Sequence, residues 1–473
     1  MNIANKVTLI AGAGLTGLMS AFRLTKIQPN SKILVFDKSS FVGGKFTSQT
    51  YDEGYIFDNG MHVIYESCND KIDDLYREIL PESEWNIYHK NEKDIAGLFF
   101  HGKLQEYSHY IDLRSLPYDT KKSLIGSFFL NLADDYSDDS VSCSDLLKKK
   151  FGEEIYSTIH RPILKRMYGV DPEELNVFAI KATALERVIA FDSGVMLGLM
   201  ESPIIRSRLA YPDQLNLPDL RANNQKALYP KKFGMTGFIE KLKRVLKERG
   251  VEILTETQIS HMQIENSRIS KVSLINKTGI VKTIGVDNFL WTSGWPSIAS
   301  ELKVNFSDLA FQKGPEVVFL NLVFDRPVNM GRLYYFYCYD EGYGSFRVTN
   351  YNNYCPTAEF SGKYPLCIEF WPGKIGRNKN ELSESECIDI ALAELHKFGV
   401  IQTSHRLEFG RMENNAGEFP MPTLSNSSNL RQIRQSVYDL KLKNLFVTGL
   451  MAEEGLFFLP DVLNHAFSKL DEF

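Results

Sequence analysis

The sequence predicts an α/β protein in which a parallel sheet with flanking helices is interrupted by an inserted α+β region. Three observations carry this. A strand, a glycine turn, a helix, a second strand and an acid follow one another by residue 37. Further strand and helix patterns lie at 236–292 and at 444 onward. The stretches 66–224 and 301–419 are less regular, richer in aromatics and without a glycine turn of their own.

Val7 to Ala11 is an aliphatic, β-branched run suited to a strand buried on both faces. It ends in Gly12-Ala-Gly14-Leu15-Thr16-Gly17. Leu15, Leu18, Met19 and Phe22 then recur near helical spacing until Pro29-Asn30 stops them. Ser31 to Phe36 is a second strand, closed by Asp37. A crossover helix joins the two strands, so they must run parallel. Later, Thr236 is expected to cap a helix carrying Phe238, Ile239, Leu242, Val245 and Leu246 and ending at Gly250. Val251 to Leu254 reads as a strand, 269–274 with 280–286 as a hairpin, and Asn288 to Thr292 as a buried strand before Gly294-Trp-Pro296. A capping box, Ser383 to Glu386, opens a helix that ends at Gly399. Asn444 to Thr448 is the last strand, with a final helix expected to start at Asp461 as its cap.

The chain has 473 residues, 43% of them hydrophobic, which excludes wholesale disorder. A net charge of −5 gives no global attraction to phosphate backbones, so nucleic acid is not an expected partner. Six cysteines without a C-x-x-C pair read as reduced, mostly buried thiols. No run of about 18 apolar residues suggests a membrane span, and the expected location is the cytoplasm. The Lys148–Lys150 and Asp134–Asp139 runs read as solvated faces. No histidine pair has metal-ligand spacing, so no metal is expected.

Gly12 permits a tight turn, Gly14 lets backbone N–H groups approach a pyrophosphate, and Gly17 lets helix and strand pack closely. The helix start at Leu15 and Thr16 turns its partial positive charge toward the phosphates. Asp37 stands at the end of the second strand, where a carboxylate can accept from both ribose hydroxyls. This is a Rossmann-like dinucleotide site. Val42-Gly43-Gly44-Lys45 follows, and then Phe57-Asp58-Asn59-Gly60-Met61-His62. A second glycine pair beside a cation adds donors and charge for a pyrophosphate.

With these motifs the chain resembles the FAD family of flavin amine oxidases, protoporphyrinogen oxidases and carotenoid desaturases. Tyr229 to Phe238, Gly250 to Ile259, Arg161 to Leu175 and Phe446 to Gly449 resemble further segments of that family. The resemblance implies FAD as cofactor. It implies contacts at Gly12, Gly14, Leu15, Thr16, Gly17, Asp37, Lys38, Gly43, Gly44, Lys45, Gly60, Met61, His62, Ile259, Gly449, Leu459, Asp461 and Val462. The carboxyl end, Gly449 to His465 with Phe419-Pro-Met-Pro422 and Asn429 to Arg434 upstream, is similar to that of UDP-galactopyranose mutases. Leu450 stands where that ending has an arginine, and 456–459 lack its tyrosines.

His62 and Arg347 are the candidate catalytic residues. His62 is either hydrogen-bonded structurally in a core turn or part of an active site. Leu333 to Tyr339 and Gly344 to Val348 read as a hairpin turning near Asp340, whose alternate aromatics wall a pocket or simply pack a sheet. Arg347 on it pairs with an anionic substrate or a neighbouring carboxylate. His396 and His465 read as structural. The expected organisation is an FAD-binding domain in three pieces, 1–65, 225–300 and 420–473. A substrate domain fills the gaps, mostly helical over 66–224 and sheet-rich over 301–419. The leading function is an FAD-dependent oxidoreductase that takes a hydride from a C–H bond of a small organic substrate onto flavin N5. The alternative is a non-redox flavin isomerase of a nucleotide sugar, and a third class is a flavin-binding scaffold without turnover.

Overall fold

The computed structural model describes residues 6–132, 140–181, 183–222, 224–414 and 421–473. The acidic run 134–139 and Phe419-Pro420 lie outside them. Five strands form one sheet in the order Glu252–Leu254, Lys32–Phe36, Val7–Ala11, Asn288–Trp291, Leu445–Val447, with every pairing parallel. Successive side chains of a strand face opposite ways, and here each way meets a separate core. Ile10, Ile33 and Val35 pack with Leu18, Phe22, Ile239 and Leu463 of helices Leu15–Ile27, Met235–Glu248 and Leu459–Leu470. Leu9, Ala11, Leu34 and Phe36 pack instead with Val272, Leu274, Trp295 and Ile433. Cover on both faces is why these strands are almost uninterruptedly apolar.

A second sheet of seven strands runs Leu407–Glu413, Val318–Phe324, Tyr364–Phe370, Ser345–Asn350, Tyr335–Cys338, Ala96–Phe100, Lys103–Gln105. Its pairings are antiparallel except Tyr335–Cys338 with Ala96–Phe100. Val318, Leu320 and Phe336 share a core with Ile10 and Leu18 of the parallel-sheet layer. Tyr339, Phe346 and Trp371 join a second core with the helices of 118–208. The expected hairpin at 335–350 is present. Asp340 holds its turn region to the neighbouring turn by accepting from His101 N at 2.8 Å and Gly102 N at 2.7 Å.

Two local expectations are corrected. Thr236 does not cap its helix, which begins at Met235 after Gly234; its backbone and hydroxyl bond Ser48 instead. Asp461 does not cap the last helix, which begins at Leu459 with Phe458 in the cap position. Pro460 is tolerated in that first turn, where its missing N–H is no loss, so the helix starts earlier. The expected hairpin is present at 268–285 and gains a third strand, Thr257–Glu265, which carries Ile259. Five cysteines are buried and free, and Cys68 is free and exposed.

Candidate cofactor and substrate site

The two glycine turns meet beyond the carboxyl ends of Val7–Ala11 and Lys32–Phe36. Gly12 sits at φ +103°, and a Cβ on it would come 2.2 Å from Thr292 Oγ1. A Cβ on Gly17 would come 2.0 Å from the carbonyl oxygen of Gly12, so helix and turn touch directly. Gly43 N donates to the Ala13 carbonyl at 2.8 Å, and a Cβ on Gly44 would lie 3.3 Å from Gly14 Cα. A Cβ on Gly14 would meet nothing within 4 Å. The helix starting at Leu15 has no side-chain cap and no acid in its first turn. An uncapped helix start facing open space is what a phosphate group requires.

Asp37 closes the same corner. Its carboxylate accepts from Ala13 N and Ser39 N, both at 2.8 Å, leaving further lone pairs for ribose hydroxyls. Lys38 beside it is exposed. Lys45 reaches the surface of the second turn, where burial lowers its pKa and the charge of Glu369 raises it. Across the sheet, Gly449 has φ +113°, and a Cβ there would meet the Thr292 carbonyl at 2.6 Å. Leu459 and Val462 lie in the first turn of the last helix with exposed Asp461 between them. His465 Nδ1 and Thr448 Oγ1 lie 2.9 Å apart, tying that helix to the strand end. Ile259 packs with Val272 and Leu274, two residues beyond Thr257, whose N–H donates to the Asp37 carbonyl at 2.9 Å.

Residues 58–62 lie under the second sheet. Asp58 is 2% exposed. It accepts from Ser48 Oγ at 2.6 Å, Met235 N at 3.0 Å and Tyr229 OH at 2.5 Å. Its carbonyl accepts from Tyr351 OH at 2.6 Å. Gly60, at φ +76°, presses against Glu369: a Cβ would stand 2.4 Å from Oε1 and 3.4 Å from Arg347 Nη2. Burial and the charge of Arg347 push the His62 imidazole down to about 4, so it is neutral near pH 7. Its Nδ1 is buried without a partner, and its ring meets Phe46 edge-on at 5.3 Å.

Arg347 pairs with Glu369 at 2.5 Å and lies 5.4 Å from the Tyr335 ring and 6.0 Å from that of Tyr337. Burial opposes its charge, but Glu369 and the two tyrosines raise its pKa on balance. Of the two readings of Arg347, the carboxylate partner is the one present. Glu369 was missed, although a single acid in the apolar run Tyr364–Phe370 signals a buried partner. Asp94 and Tyr65 were missed too, and no local pattern marks them. Burial pushes the Asp94 carboxyl up, against the hydroxyls of Tyr335 and Tyr65 and the charges of Arg347 and Lys93. The arrangement is a neutral imidazole and close backbone on one side, and a paired guanidinium with tyrosines on the other.

Among the described residues, no three His, Cys, Asp or Glu come together to hold a metal, and no helix is long and apolar enough to cross a membrane. Residues 10–79 match the NAD(P)-binding Rossmann-like domain family. A coproporphyrinogen III oxidase of Staphylococcus aureus is 24% identical over 267 residues, 54% of this chain and 54% of its own. The chain thus spans about half the length of that relative. Among solved structures, a reduced UDP-galactopyranose mutase superposes with TM-score 0.69 at 16% identity, over 94% of this chain and 89% of its own. A structure assigned as a protoporphyrinogen oxidase from Exiguobacterium sp. 255-15 gives TM-score 0.69 at 16% identity, covering 99% of each chain. A putrescine oxidase bound to putrescine gives TM-score 0.59 at 14% identity, again over 99% of each. The chain therefore shares its α/β fold with the putrescine oxidase and with the structure assigned as a protoporphyrinogen oxidase, and residues 10–79 of it are Rossmann-like.

Proposed function

We propose that the protein is an FAD-dependent oxidoreductase acting on a C–H bond of a small organic substrate. The observation that carries this is the joined pair of glycine turns leading to Gly60–His62, which lies against Arg347 and Glu369. In this reading Gly12, Gly14 and the N–H groups of Leu15 and Thr16 hold the pyrophosphate, with Gly43, Gly44 and Lys45 beside them. Asp37 accepts from the ribose. Gly60, Met61 and His62, with Gly449 and the helix start at Leu459, would hold the flavin ring. FAD, when bound, supplies the hydride-accepting atom, so no protein nucleophile is required.

The chain's own task is to place the substrate and keep water out. Tyr335 and Tyr337 wall the substrate side, and Arg347 keeps its charge while Glu369 balances it. His62, neutral near pH 7, offers a ring nitrogen for a hydrogen bond rather than a charge. On this division of labour the domain limits fall at 65, 224, 300 and 419.

The test is a flavin absorbance spectrum of the purified protein, followed by substrate addition under anaerobic conditions. Coproporphyrinogen III is the first compound to try, after the S. aureus relative, and putrescine the second, after the structural neighbour. Bleaching of the oxidised flavin band is the expected result. Protein that takes up no flavin on reconstitution overturns the reading.

A second reading is a non-redox isomerase of a nucleotide sugar, favoured by the run Gly449 to His465. It predicts turnover of a UDP-sugar by reduced protein with no net electron flow. Leu450, 42% exposed where the mutase ending has an arginine, weighs against it.

A further inference from the structure

Three segments of the helical region meet at a small pairing well away from the glycine turns in sequence. Val188–Ile189 runs parallel to Ile111–Asp112, and Val188 also bridges Leu209. The register places Arg187 beside Tyr110. Arg187 Nη1 donates to Tyr110 OH at 2.9 Å, and its guanidinium carbon lies 5.8 Å from the Tyr110 ring centre. Arg221 reaches into the same junction and donates to the carbonyls of Arg206 and Leu209. Arg206 Nη1 donates to the Met200 carbonyl at 2.8 Å.

All three guanidinium side chains are half-buried, and none forms an ion pair with a carboxylate of a described residue. Every hydrogen bond they make is to a neutral oxygen. Arg187 Nε and Arg221 Nε are buried with no partner, as is His109 Nδ1. Each guanidinium has five N–H donors, so the contacts made leave several unspent. Arg187 and Arg206 each bear unfavourably on the charge of Arg221, which burial and these neighbours bring down to about 10. Burial and the charge of Arg187 bring His109 down to about 4, so it adds no further charge at neutral pH. Three other half-buried arginines have carboxylate partners, Arg347 with Glu369, Arg114 with Asp112 and Arg434 with Glu453, while Arg166 donates to the Tyr339 carbonyl. Half-buried like charges without a carboxylate among the described residues, with the Arg187 and Arg221 Nε atoms unpartnered, make an arrangement that an anion would complete.

We propose that Arg187, Arg206 and Arg221, with Tyr110, form a binding site for an oxyanion group, a carboxylate or a phosphate, carried by a ligand of the inserted region. The site is independent of the flavin reading, because none of its residues belongs to the glycine turns or to the Gly60–His62 segment.

The test is calorimetric titration of the full-length protein with citrate and, separately, inorganic phosphate, at constant ionic strength set with sodium chloride. Saturable one-to-one binding of either probe is the expected result, and the stronger probe identifies the group. Arg187→Gln and Arg206→Gln are each expected to weaken it about tenfold, the usual scale for one charge-assisted contact. Arg332→Gln, which alters an exposed pair with Glu92, is expected to leave it unchanged. Arg187→Lys guards against a folding defect: it keeps the charge, loses the fork, and binds with intermediate affinity. No saturable binding of either probe, or equal binding by wild type and both glutamine variants with unchanged melting temperature, overturns the inference.

Discussion

At the residue scale, Gly60 fixes how closely the 58–62 segment approaches the second sheet. It has φ +76° and sits where a Cβ would be 2.4 Å from Glu369 Oε1. Gly60→Ala therefore adds left-handed strain, of order 1 kcal/mol, and displaces the carboxylate from Arg347. The expected outcome is lowered flavin retention, read as the ratio of flavin to protein absorbance after gel filtration; retention equal to wild type contradicts the site as drawn. A second prediction concerns acid. His160 is fully buried, stacked on Phe151 at 4.8 Å, and burial with the charge of Lys150 pushes its pKa from 6.5 down to about 3. The unfolded chain thus binds a proton that the folded chain refuses. Stability from this residue is fully present above pH 6.5 and is lost as pH falls toward 3. His160→Phe is expected to flatten the fall in melting temperature between pH 6.5 and 4.5, relative to wild type. The tight turn at Gly12, Gly14 and Gly17 and the strand end at Asp37 were legible because motif, strand and helix are adjacent in sequence. Glu369 and Asp94 were not, because their partners lie on other strands.

At the element scale, the helix Glu384–Lys397 braces the strand that carries Arg347. Glu394, 3% exposed, accepts from Gly344 N at 2.7 Å and Ser345 N at 2.9 Å. Glu394→Ala leaves both N–H groups buried and unmet, a cost of about 2–5 kcal/mol, measurable as a lowered urea midpoint. Ser383→Ala removes one side of the capping box on the same helix and is expected to cost only about 1 kcal/mol. A reversal of that order contradicts the assignment of Glu394. The capping box was readable because its two residues are three apart and bond only each other and their own backbone. Thr236 and Asp461 misled for the complementary reason. Both are good cap types, but Ser48 claims the first and the Phe458-Leu459-Pro460 backbone starts the helix ahead of the second.

At the scale of the whole molecule, Asp58 binds distant segments into one unit. Its partners are Ser48, Tyr229, Met235 and Tyr351, drawn from the two long intervals that separate strands of the parallel sheet. The core continues this union, since Ile10, Ile239, Leu320 and Leu463 share one cluster. Tyr229→Phe removes a donor from a buried carboxylate and is expected to cost about 2 kcal/mol. Flavin release and loss of near-ultraviolet dichroism should shift together in this variant, because both layers lean on the same residue. Separate transitions would contradict it.

The sequence by itself determined the α/β class, the dinucleotide turn, and the parallel order of its first two strands. These follow from hydrophobic period, glycine positions and the handed crossover between neighbours, which are all local. Only the tertiary structure decided what Arg347 pairs with, how Gly60 meets Glu369, and that Arg187, Arg206 and Arg221 lie near one junction without a carboxylate partner among the described residues. Burial and electrostatics depend on which side chains meet across long loops, and chain order alone does not fix those meetings.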